Sequence, residues 1–426
     1  MSLMLRRIAL LVIVVAGGVL LFFVLYHPPM QLMPPPLLFQ TDGQRIFDAS
    51  PEIEVDSRIE IFYATNRLPV GLQESRVYTV APDRRLHFGT ATLRIGEDDT
   101  PIEQILEWSM RADTGDRPFI RLERMEEATT LPQGADPGPD ALEWFDAVEA
   151  ALAASRTKDV LLYVHGANTT VERAAGQAAQ LKHFAGRSAV VILYVWPTAE
   201  NFLRYSRDIE NAFGAAPHLT EFLELLAAHT RARDIDVFTY SAGATIGSDS
   251  LARLATGAPQ AAERLGEIYH AAPDADFRRF VDDLGHYAGF ARRVTTAVNL
   301  GDSALRLAEA VNRASRAGRP DLAELSPASA EWLLAAADDQ GLEILQVRPE
   351  NMPDLAATSH TFWYDDPWVS NDLFLTLFFN LAPAERGLEP GTGESGTRYW
   401  TFTPDYPARI AALGEQLAAA HREAAP

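Results

Sequence analysis

The longest uninterrupted apolar segment lies near the start of the chain. Residues 8–26 read IALLVIVVAGGVLLFFVLY and include no charged side chain. A helix of this length at 1.5 Å per residue would reach roughly 28 Å, close to the ~30 Å hydrocarbon core of a bilayer. Arg6 and Arg7 precede the run, and the next basic residue is Arg45. The positive-inside rule therefore predicts a single-pass anchor over residues 1–27. Its N-terminus would be cytoplasmic, and the rest of the chain would lie on the outer, periplasmic side of the cytoplasmic membrane.

A cleaved signal peptide is the alternative interpretation of this run. No convincing small-x-small cleavage site follows it, and the Pro-rich stretch HPPMQLMPPP occupies residues 27–36 instead. Such a stretch is typical of an extended spacer. We therefore expect a linker over residues 28–52 that holds the next domain away from the bilayer.

Two hydrophobic patterns divide the remaining chain. Short strand-like runs dominate residues 53–139. We expect this region to extend the main sheet, because the Gly/Pro-rich connector at 129–139 is short. From residue 140 to 426, apolar runs rich in β-branched residues alternate with helical patterns, which indicates βαβ units and a mostly parallel sheet. The predicted strands are 59–67, 76–81, 86–96, 119–125, 160–166, 189–196, 235–241, 267–274, 293–302 and 342–349. The predicted helices are 171–184, 208–229, 243–256, 303–316, 329–338 and 407–422.

The amino-acid composition argues against several classes of function. The 426 residues include 37 basic and 58 acidic side chains, a formal charge of −21, and an acidic chain repels the phosphate backbone of nucleic acids. The absence of cysteine excludes disulfides, thiolate metal sites and a cysteine nucleophile. The spacings of the zinc motif H-E-x-x-H, the EF-hand loop and the phosphate-binding P-loop are also missing. We therefore predict neither a metal nor a cofactor.

A candidate nucleophile lies where a predicted strand meets a predicted helix. The strand 235–241 ends in Ser241, and Ala242 and Gly243 follow. A serine at the apex of a strand–turn–helix unit is the geometry of a nucleophile elbow. The motif reads T-x-S-x-G, because Thr239 takes the place of the first glycine of G-x-S-x-G. A β-branched side chain must therefore fit where the backbone is crowded.

His165 and Gly166 end an earlier predicted strand. In proteins with a nucleophile elbow, a His-Gly pair at this point leads into a loop that supplies one oxyanion-hole N–H, and the residue after the nucleophile supplies the other. We therefore predict Ala167 and Ala242 as the two donors. The alternative is that His165 simply closes a turn.

A serine nucleophile needs a histidine base and an orienting acid, in the chain order Ser, Asp or Glu, His. His360, on a loop after the last predicted strand, is the best-placed base. Asp302, at a strand-to-helix turn, is the predicted acid, and Asp274, in a similar place one strand earlier, is the alternative. An N-cap for the helix that begins at Ser303 is a competing role for Asp302.

Together these motifs resemble an uncharacterised bacterial branch of the α/β-hydrolase superfamily, a domain of unknown function. The resemblance covers roughly residues 55–385. The matching segments are FYATNR (62–67), FGTATLRIG (88–96), VHGANTT (164–170), WPT (196–198) with Tyr205 and Asp208, YSAGA (240–244), AAPDAD (271–276), GDSAL (301–305) and SHTFW (359–363). The resemblance implies an α/β-hydrolase fold with Ser241, Asp302 and His360 at the triad positions. The elbow departs from the family's usual A-H-S-M-G, since Tyr240 replaces the histidine.

The sequence thus predicts a membrane-anchored serine hydrolase with an α/β-hydrolase core over residues 140–426. The expected substrate is a small-molecule or lipid-derived acyl ester or thioester. Two alternatives remain: a catalytically silent scaffold or binding protein at the membrane, and an acyltransferase that uses the same triad. The helical insertion at 305–339 could form a lid or a surface helix pair.

Overall fold

The computed structural model describes residues 17–18, 28–41, 57–113, 115–339, 341–393 and 396–424. Apart from residues 17 and 18, the predicted anchor run 8–26 lies outside the described residues. No helix within the described ranges is both long and apolar enough to span a bilayer.

The described residues form one twelve-stranded sheet. The strands are β1 (Met30–Gln31), β2 (Arg58–Val70), β3 (Val77–Ile95), β4 (Phe119–Pro132), β5 (Val160–Val164), β6 (Val190–Val195), β7 (Ile235–Tyr240), β8 (Leu265–Ala271), β9 (Arg293–Val298), β10 (Leu342–Gln346), β11 (Glu389–Thr392) and β12 (Arg398–Thr401). Their order is β1-β4-β3-β2-β6-β5-β7-β8-β9-β10-β12-β11. The strands from β2 to β12 in this order pair in parallel, and antiparallel strands flank them at both ends. The predicted α/β class with a mostly parallel sheet is confirmed.

Helices cover both faces of the sheet. They are α1 (Ile102–Met110), α2 (Pro139–Ala154), α3 (Val171–Phe184), α4 (Tyr205–His229), α5 (Gly243–Gly257), α6 (Pro259–Ala262), α7 (Phe277–Tyr287), α8 (Ser303–Asn312), α9 (Pro327–Asp339), α10 (Phe362–Asp365), α11 (Pro367–Phe379) and α12 (Tyr406–Ala424). Alternate side chains of β5 enter two separate apolar cores: Leu161 and Tyr163 pack on one face, and Leu162 and Val164 on the other. This double burial explains why the central strands read as continuous apolar runs.

The predicted helices and strands agree best with the observed ones around the central strands of the sheet. Helix α3 has the predicted bounds, whereas β8, β9 and β10 each end before their predicted limits, because polar residues there form loops at the carboxyl edge of the sheet. The strands predicted at 76–81 and 86–96 are parts of the single long strand β3. The connector predicted at 129–139 is wrong at its start, since β4 continues to Pro132. Helices α1, α2, α6, α7, α10 and α11 were not predicted.

The N-terminal strand region continues the main sheet. Strand β2 pairs in parallel with β6 from Phe62↔Ile192 to Thr65↔Val195, and β3 and β4 follow by antiparallel pairing. The carboxyl end of β2 therefore lies at the same edge of the sheet as the carboxyl ends of β5, β6 and β7.

The predicted Pro-rich linker is not an extended spacer over its described part, residues 28–41. Strand β1 pairs with β4, and the stretch buries the apolar side chains of Met30, Leu32, Met33, Leu38 and Phe39. Methionine and leucine between the prolines, with leucine and phenylalanine after them, supply enough apolar surface to pack into the core. The expectation of a spacer is therefore wrong for this segment, and residues 42–52 of the predicted linker lie outside the described residues.

Candidate active site

Ser241 occupies a tight turn between β7 and α5. Its φ angle is +53°, a left-handed conformation that is uncommon for a residue with a side chain. Its backbone N–H donates to the Ala271 carbonyl (3.0 Å), and its own carbonyl accepts from the N–H of Asp274 (2.9 Å). A Cβ at Gly243 would overlap the carbonyl oxygens of Val164 and His165, so the turn requires glycine there. These constraints hold the serine at the carboxyl edge of the sheet.

Thr239 fits beneath this turn because Gly247 of α5 faces it. A Cβ on Gly247 would lie 2.5 Å from Cγ2 of Thr239. The Thr239 hydroxyl shares a 2.7 Å hydrogen bond with Nδ1 of His270, whose Nε2 lies 3.0 Å from the hydroxyl of Tyr287. Burial lowers the pKa of His270 to about 3, so the ring is neutral at pH 7. The missing first glycine of the elbow motif is thus compensated by a glycine on the following helix.

Ser241, His360 and Asp302 form a continuous hydrogen-bonded chain. Oγ of Ser241 lies 2.9 Å from Nε2 of His360, and Nδ1 of His360 lies 2.6 Å from Oδ2 of Asp302. The Asp302 side chain is fully buried, while the His360 side chain keeps 18% of its surface exposed. The three predicted residues come from separate loops and meet at the carboxyl edge of the sheet.

Asp302 also caps helix α8. Its second oxygen, Oδ1, accepts from the backbone N–H groups of Ala304 (2.8 Å) and Leu305 (3.0 Å). The two interpretations that competed in the sequence are therefore compatible, because each carboxylate oxygen has its own partner. The cap orients the carboxylate toward the histidine.

Asp274, the alternative acid, has other partners. Its Oδ1 pairs with Nε of Arg316 at 2.5 Å, and its Oδ2 accepts from the hydroxyl of Tyr205 at 2.7 Å. The loop that ends β8 therefore places this carboxylate in a buried ion pair beside the serine and away from the Nδ1 side of His360.

The predicted oxyanion donors flank Ser241. Among the described residues, neither the Ala167 N–H nor the Ala242 N–H has a hydrogen-bond acceptor in the protein. Asp208 holds the loop that carries Ala167: Oδ2 accepts from the N–H of Asn168 (2.8 Å) and Oδ1 from that of Ala199 (2.5 Å). Both N–H groups are thus available to an incoming oxygen.

Arg67 is a residue whose role sequence reasoning missed. Its guanidinium is fully buried and pairs with Glu200 at 2.6 Å. It also donates to the Trp196 carbonyl (2.8 Å), the Thr198 hydroxyl (2.8 Å) and the Thr169 carbonyl (3.3 Å). One cation therefore ties the end of β2 to the loops that follow β5 and β6. An arginine at the end of the predicted strand 59–67 was the available signal.

A cavity of about 350 Å³ opens above the serine. Ser241 and His360 both line it, and helix α8, from the predicted insertion, supplies one wall. Its apolar lining consists of Ala167, Phe202, Leu203, Ala304, Leu305, Leu307, Ala308 and Val311. No cluster of three or more His, Asp or Glu side chains suited to a metal ion occurs among the described residues. The site is thus a mainly apolar pocket with a hydroxyl–imidazole–carboxylate chain at its base.

Comparison with known proteins identifies the family. No curated protein matches the chain. A solved structure described as a "putative cell surface hydrolase from Lactobacillus plantarum WCFS1" is similar at 12% identity with a TM-score of 0.33, over 54% of this chain and 94% of that one. Residues 142–356, just over half of the chain, match the family described as "Alpha/beta hydrolase of unknown function (DUF900)". The match confirms the resemblance drawn from the motifs, and the chain belongs to this α/β-hydrolase family of unknown function.

Proposed function

We propose that the protein is a membrane-anchored serine hydrolase that cleaves an ester or thioester. The observation that carries the proposal is the hydrogen-bonded chain from Ser241 through His360 to Asp302 at the base of an open cavity. Membership of an α/β-hydrolase family supports a hydrolase-like enzyme in general.

Ser241 attacks the acyl carbonyl, and Nε2 of His360 takes the proton of its hydroxyl. The tetrahedral intermediate collapses to an acyl-serine when His360 returns this proton to the leaving alcohol or thiol. Water then repeats the sequence on the acyl-enzyme, which releases the acid and restores the serine. Throughout, Asp302 keeps the Nδ1–H of the ring pointed away from the serine and stabilises the imidazolium.

The backbone N–H groups of Ala167 and Ala242 bind the developing oxyanion. Their lack of a protein acceptor supports this role, since a donor already engaged would have to break a bond first. One such donor lowers the barrier by about 3–4 kcal/mol in a dry site.

The apolar lining supports an acyl chain as the bound group. Leu305, Leu307 and Val311 offer contacts to an alkyl chain and no charge to a peptide or sugar. The preference for esters and thioesters over peptides rests on analogy with the superfamily. Anchoring in the cytoplasmic membrane, with the domain on its outer side, rests on residues 8–26 and the preceding arginines.

The test is activity of the full-length protein toward short and long p-nitrophenyl acyl esters, with labelling by a fluorophosphonate probe. The full chain is needed because residues 28–41 pack into the domain. Ser241→Ala and His360→Ala should each reduce kcat/KM by several orders of magnitude, and Ser241→Ala should abolish labelling. Ser75→Ala removes an exposed hydroxyl elsewhere and should change neither. A wild-type protein that is inert toward every ester and unlabelled would point to the silent scaffold. An ester formed with an added acceptor alcohol would instead indicate an acyltransferase.

A further inference from the structure

We propose that the mouth of the Ser241 cavity is seated on the lipid bilayer, so that a membrane-resident acyl ester enters it directly. The proposal rests on the membrane anchoring proposed above. The surface concerned is the rim of the cavity, which we define as Phe202, Leu203, Leu307 and Val311. The partner is the lipid surface at which the anchor ends.

The first argument is the direction in which the N-terminal segment enters the domain. The Pro28 carbonyl accepts from Nη1 of Arg173 (3.3 Å), and the Met33 N–H donates to Oε1 of Gln180 (3.1 Å). Between these contacts Met30 lies against Gly176, where a Cβ would come within 2.7 Å of it. The segment therefore runs alongside α3 in the same direction as the helix. Because α3 begins directly after the loop that carries Ala167, Pro28 is the end of the segment nearest the active-site edge.

Arg173, which binds the Pro28 carbonyl, also contacts a residue close to the active site. Nη2 of Arg173 donates to the Tyr364 hydroxyl at 3.3 Å. The Tyr364 ring packs edge-on against Tyr240 at 6.0 Å, and Tyr240 lies 5.3 Å from the ring of His360. The chain thus leaves the domain beside the aromatic residues that support the catalytic histidine.

The second argument is the shortness of the connection. The apolar run ends at Tyr26, and His27 alone separates it from Pro28. An extended chain advances at most about 3.6 Å per residue, so Tyr26 and Pro28 are separated by no more than about 7 Å. With the run inserted, the carboxyl edge of the sheet must lie close to the lipid headgroups. A tether this short leaves no room for an intervening protein layer at Pro28.

The third argument is the exposed apolar surface at the rim. Phe202, Leu203, Leu307 and Val311 expose 46%, 70%, 45% and 53% of their surfaces, although they line one cavity. They come from two different elements, the 3₁₀ helix Phe202–Arg204 and α8. A group of large exposed apolar side chains marks an interaction site. Lipid would cover this surface and would also bring an acyl chain to the cavity entrance.

Positive charges beside the rim also favour a lipid bilayer as the partner. Arg204 and Arg306 are exposed within the same helical turns as the apolar side chains. They place positive charge beside the rim of a chain whose formal charge is −21. Arginine can reach lipid phosphates while its aliphatic part lies along apolar surface.

The test places fluorophores on the full-length protein in vesicles of phosphatidylcholine and phosphatidylglycerol. Since the chain lacks cysteine, single substitutions label one position each. Leu203→Cys and Val311→Cys report on the rim. Glu263→Cys reports on an exposed position just before β8, at the opposite edge of the sheet, and serves as the matched control. Each variant carries an environment-sensitive dye, and the vesicles contain phosphatidylcholine with a doxyl quencher on its acyl chain.

The expected result is loss of most of the dye emission at positions 203 and 311 and little loss at 263. Equal quenching at all three positions in vesicle-bound protein would overturn the orientation and leave the anchor intact. Dyes at the rim that shift to the blue without doxyl quenching would show that the rim contacts an apolar surface other than lipid, which also overturns the proposal. Protein that does not float with the vesicles would overturn both the anchor and the orientation. The readout needs no turnover, so failure of the hydrolase mechanism would not change it.

Discussion

Asp302 holds His360 through one carboxylate oxygen while the other oxygen caps helix α8. The Oδ2–Nδ1 distance is 2.6 Å, and Oδ1 accepts from two backbone N–H groups at the start of the helix. The orientation of the His360 ring is thus linked to the position of α8, the helix that forms a wall of the cavity. A shift of this helix would move the carboxylate and with it the ring.

Replacing Asp302 by asparagine should separate these two roles. The cap needs an acceptor at the Oδ1 position, so the amide NH₂ would face Nδ1 of His360. The ring must then accept at Nδ1 and carry its proton on Nε2, where it cannot receive the proton of Ser241. We expect kcat/KM to fall by about 10³–10⁴-fold with little change in thermal stability. The measurement is ester turnover beside a thermal unfolding curve.

Asp302→Ala is the matched variant, because it removes the cap as well. It should lose activity to a similar extent and lower the free energy of unfolding by a further ~1 kcal/mol. Near-wild-type turnover by Asp302→Asn would contradict the assigned role of the carboxylate.

Gly247→Ala should destabilise the protein, although alanine is the better helix former. The new Cβ would lie 2.5 Å from Cγ2 of Thr239 beneath the nucleophile turn. We expect a loss of about 1–3 kcal/mol from overpacking, together with reduced activity, measured by chemical denaturation and ester turnover. Thr239→Ser removes the methyl group and keeps the hydroxyl that bonds His270, so the double variant should recover most of the loss. Gly257→Ala, at the open end of the same helix, is the control and should be neutral or slightly stabilising. Additive effects of the two substitutions would show that Gly247 and Thr239 are not coupled.

Arg67→Met should destabilise the fold and should also displace the loop after β5 that carries Ala167. The substitution leaves the Trp196 carbonyl without its Arg67 donor and removes a buried cation that pairs with Glu200. We expect a loss of about 3 kcal/mol or more in unfolding free energy. In the fraction that folds, we expect a decrease in kcat that is larger than the change in KM. The reason is that the loop positions the Ala167 N–H, the proposed oxyanion donor, which acts in the transition state. Glu200→Gln keeps an acceptor for the guanidinium and should have a much smaller effect. Unchanged kcat in folded Arg67→Met would separate this arginine from the geometry of the loop.

Buried neutral histidines should make the protein sensitive to acid. Burial lowers the pKa of His270 to about 3, whereas the unfolded value is about 6.5. Between these values the unfolded chain binds the proton and the folded chain does not. Stability is therefore lost as the pH falls from about 6.5 toward 3, by up to about 1.4 kcal/mol per pH unit for this group.

The test is the difference in unfolding free energy between the wild type and His270→Asn across this pH range. Asparagine does not titrate, and its amide can keep the hydrogen bond to Thr239. Burial raises the pKa of Asp283 and Asp366 to about 6, and these groups change stability with the opposite sign, so the absolute curve alone is not diagnostic. The wild type should lose stability faster than the variant on acidification. Parallel curves of unfolding free energy against pH would mean that His270 does not cause the loss of stability on acidification.

Much of the fold was predictable because the central strands are buried on both faces. Runs such as 160–164 and 190–195 carry an unambiguous apolar signal, and the predicted bounds of α3 match the structure. The Pro-rich stretch was misread because proline is typical of spacers. Its burial depends on a groove beside α3 that Gly176 opens, and Gly176 lies more than a hundred residues away in the chain.

The sequence by itself determined where the candidate nucleophile lies. Ser241 is specified by a strand, a turn and a helix that are consecutive in the chain, and such a signal is local. Tertiary structure decided which carboxylate serves His360. Asp274 and Asp302 each follow one of two neighbouring parallel strands and reach the same edge of the sheet, so nothing local distinguishes them. The choice depends on residues far along the chain: Arg316 pairs with Asp274, and the loop after β10 brings the imidazole to Asp302. Packing between distant segments has no signature in any single stretch of sequence, because it arises only when the sheet has brought those segments together.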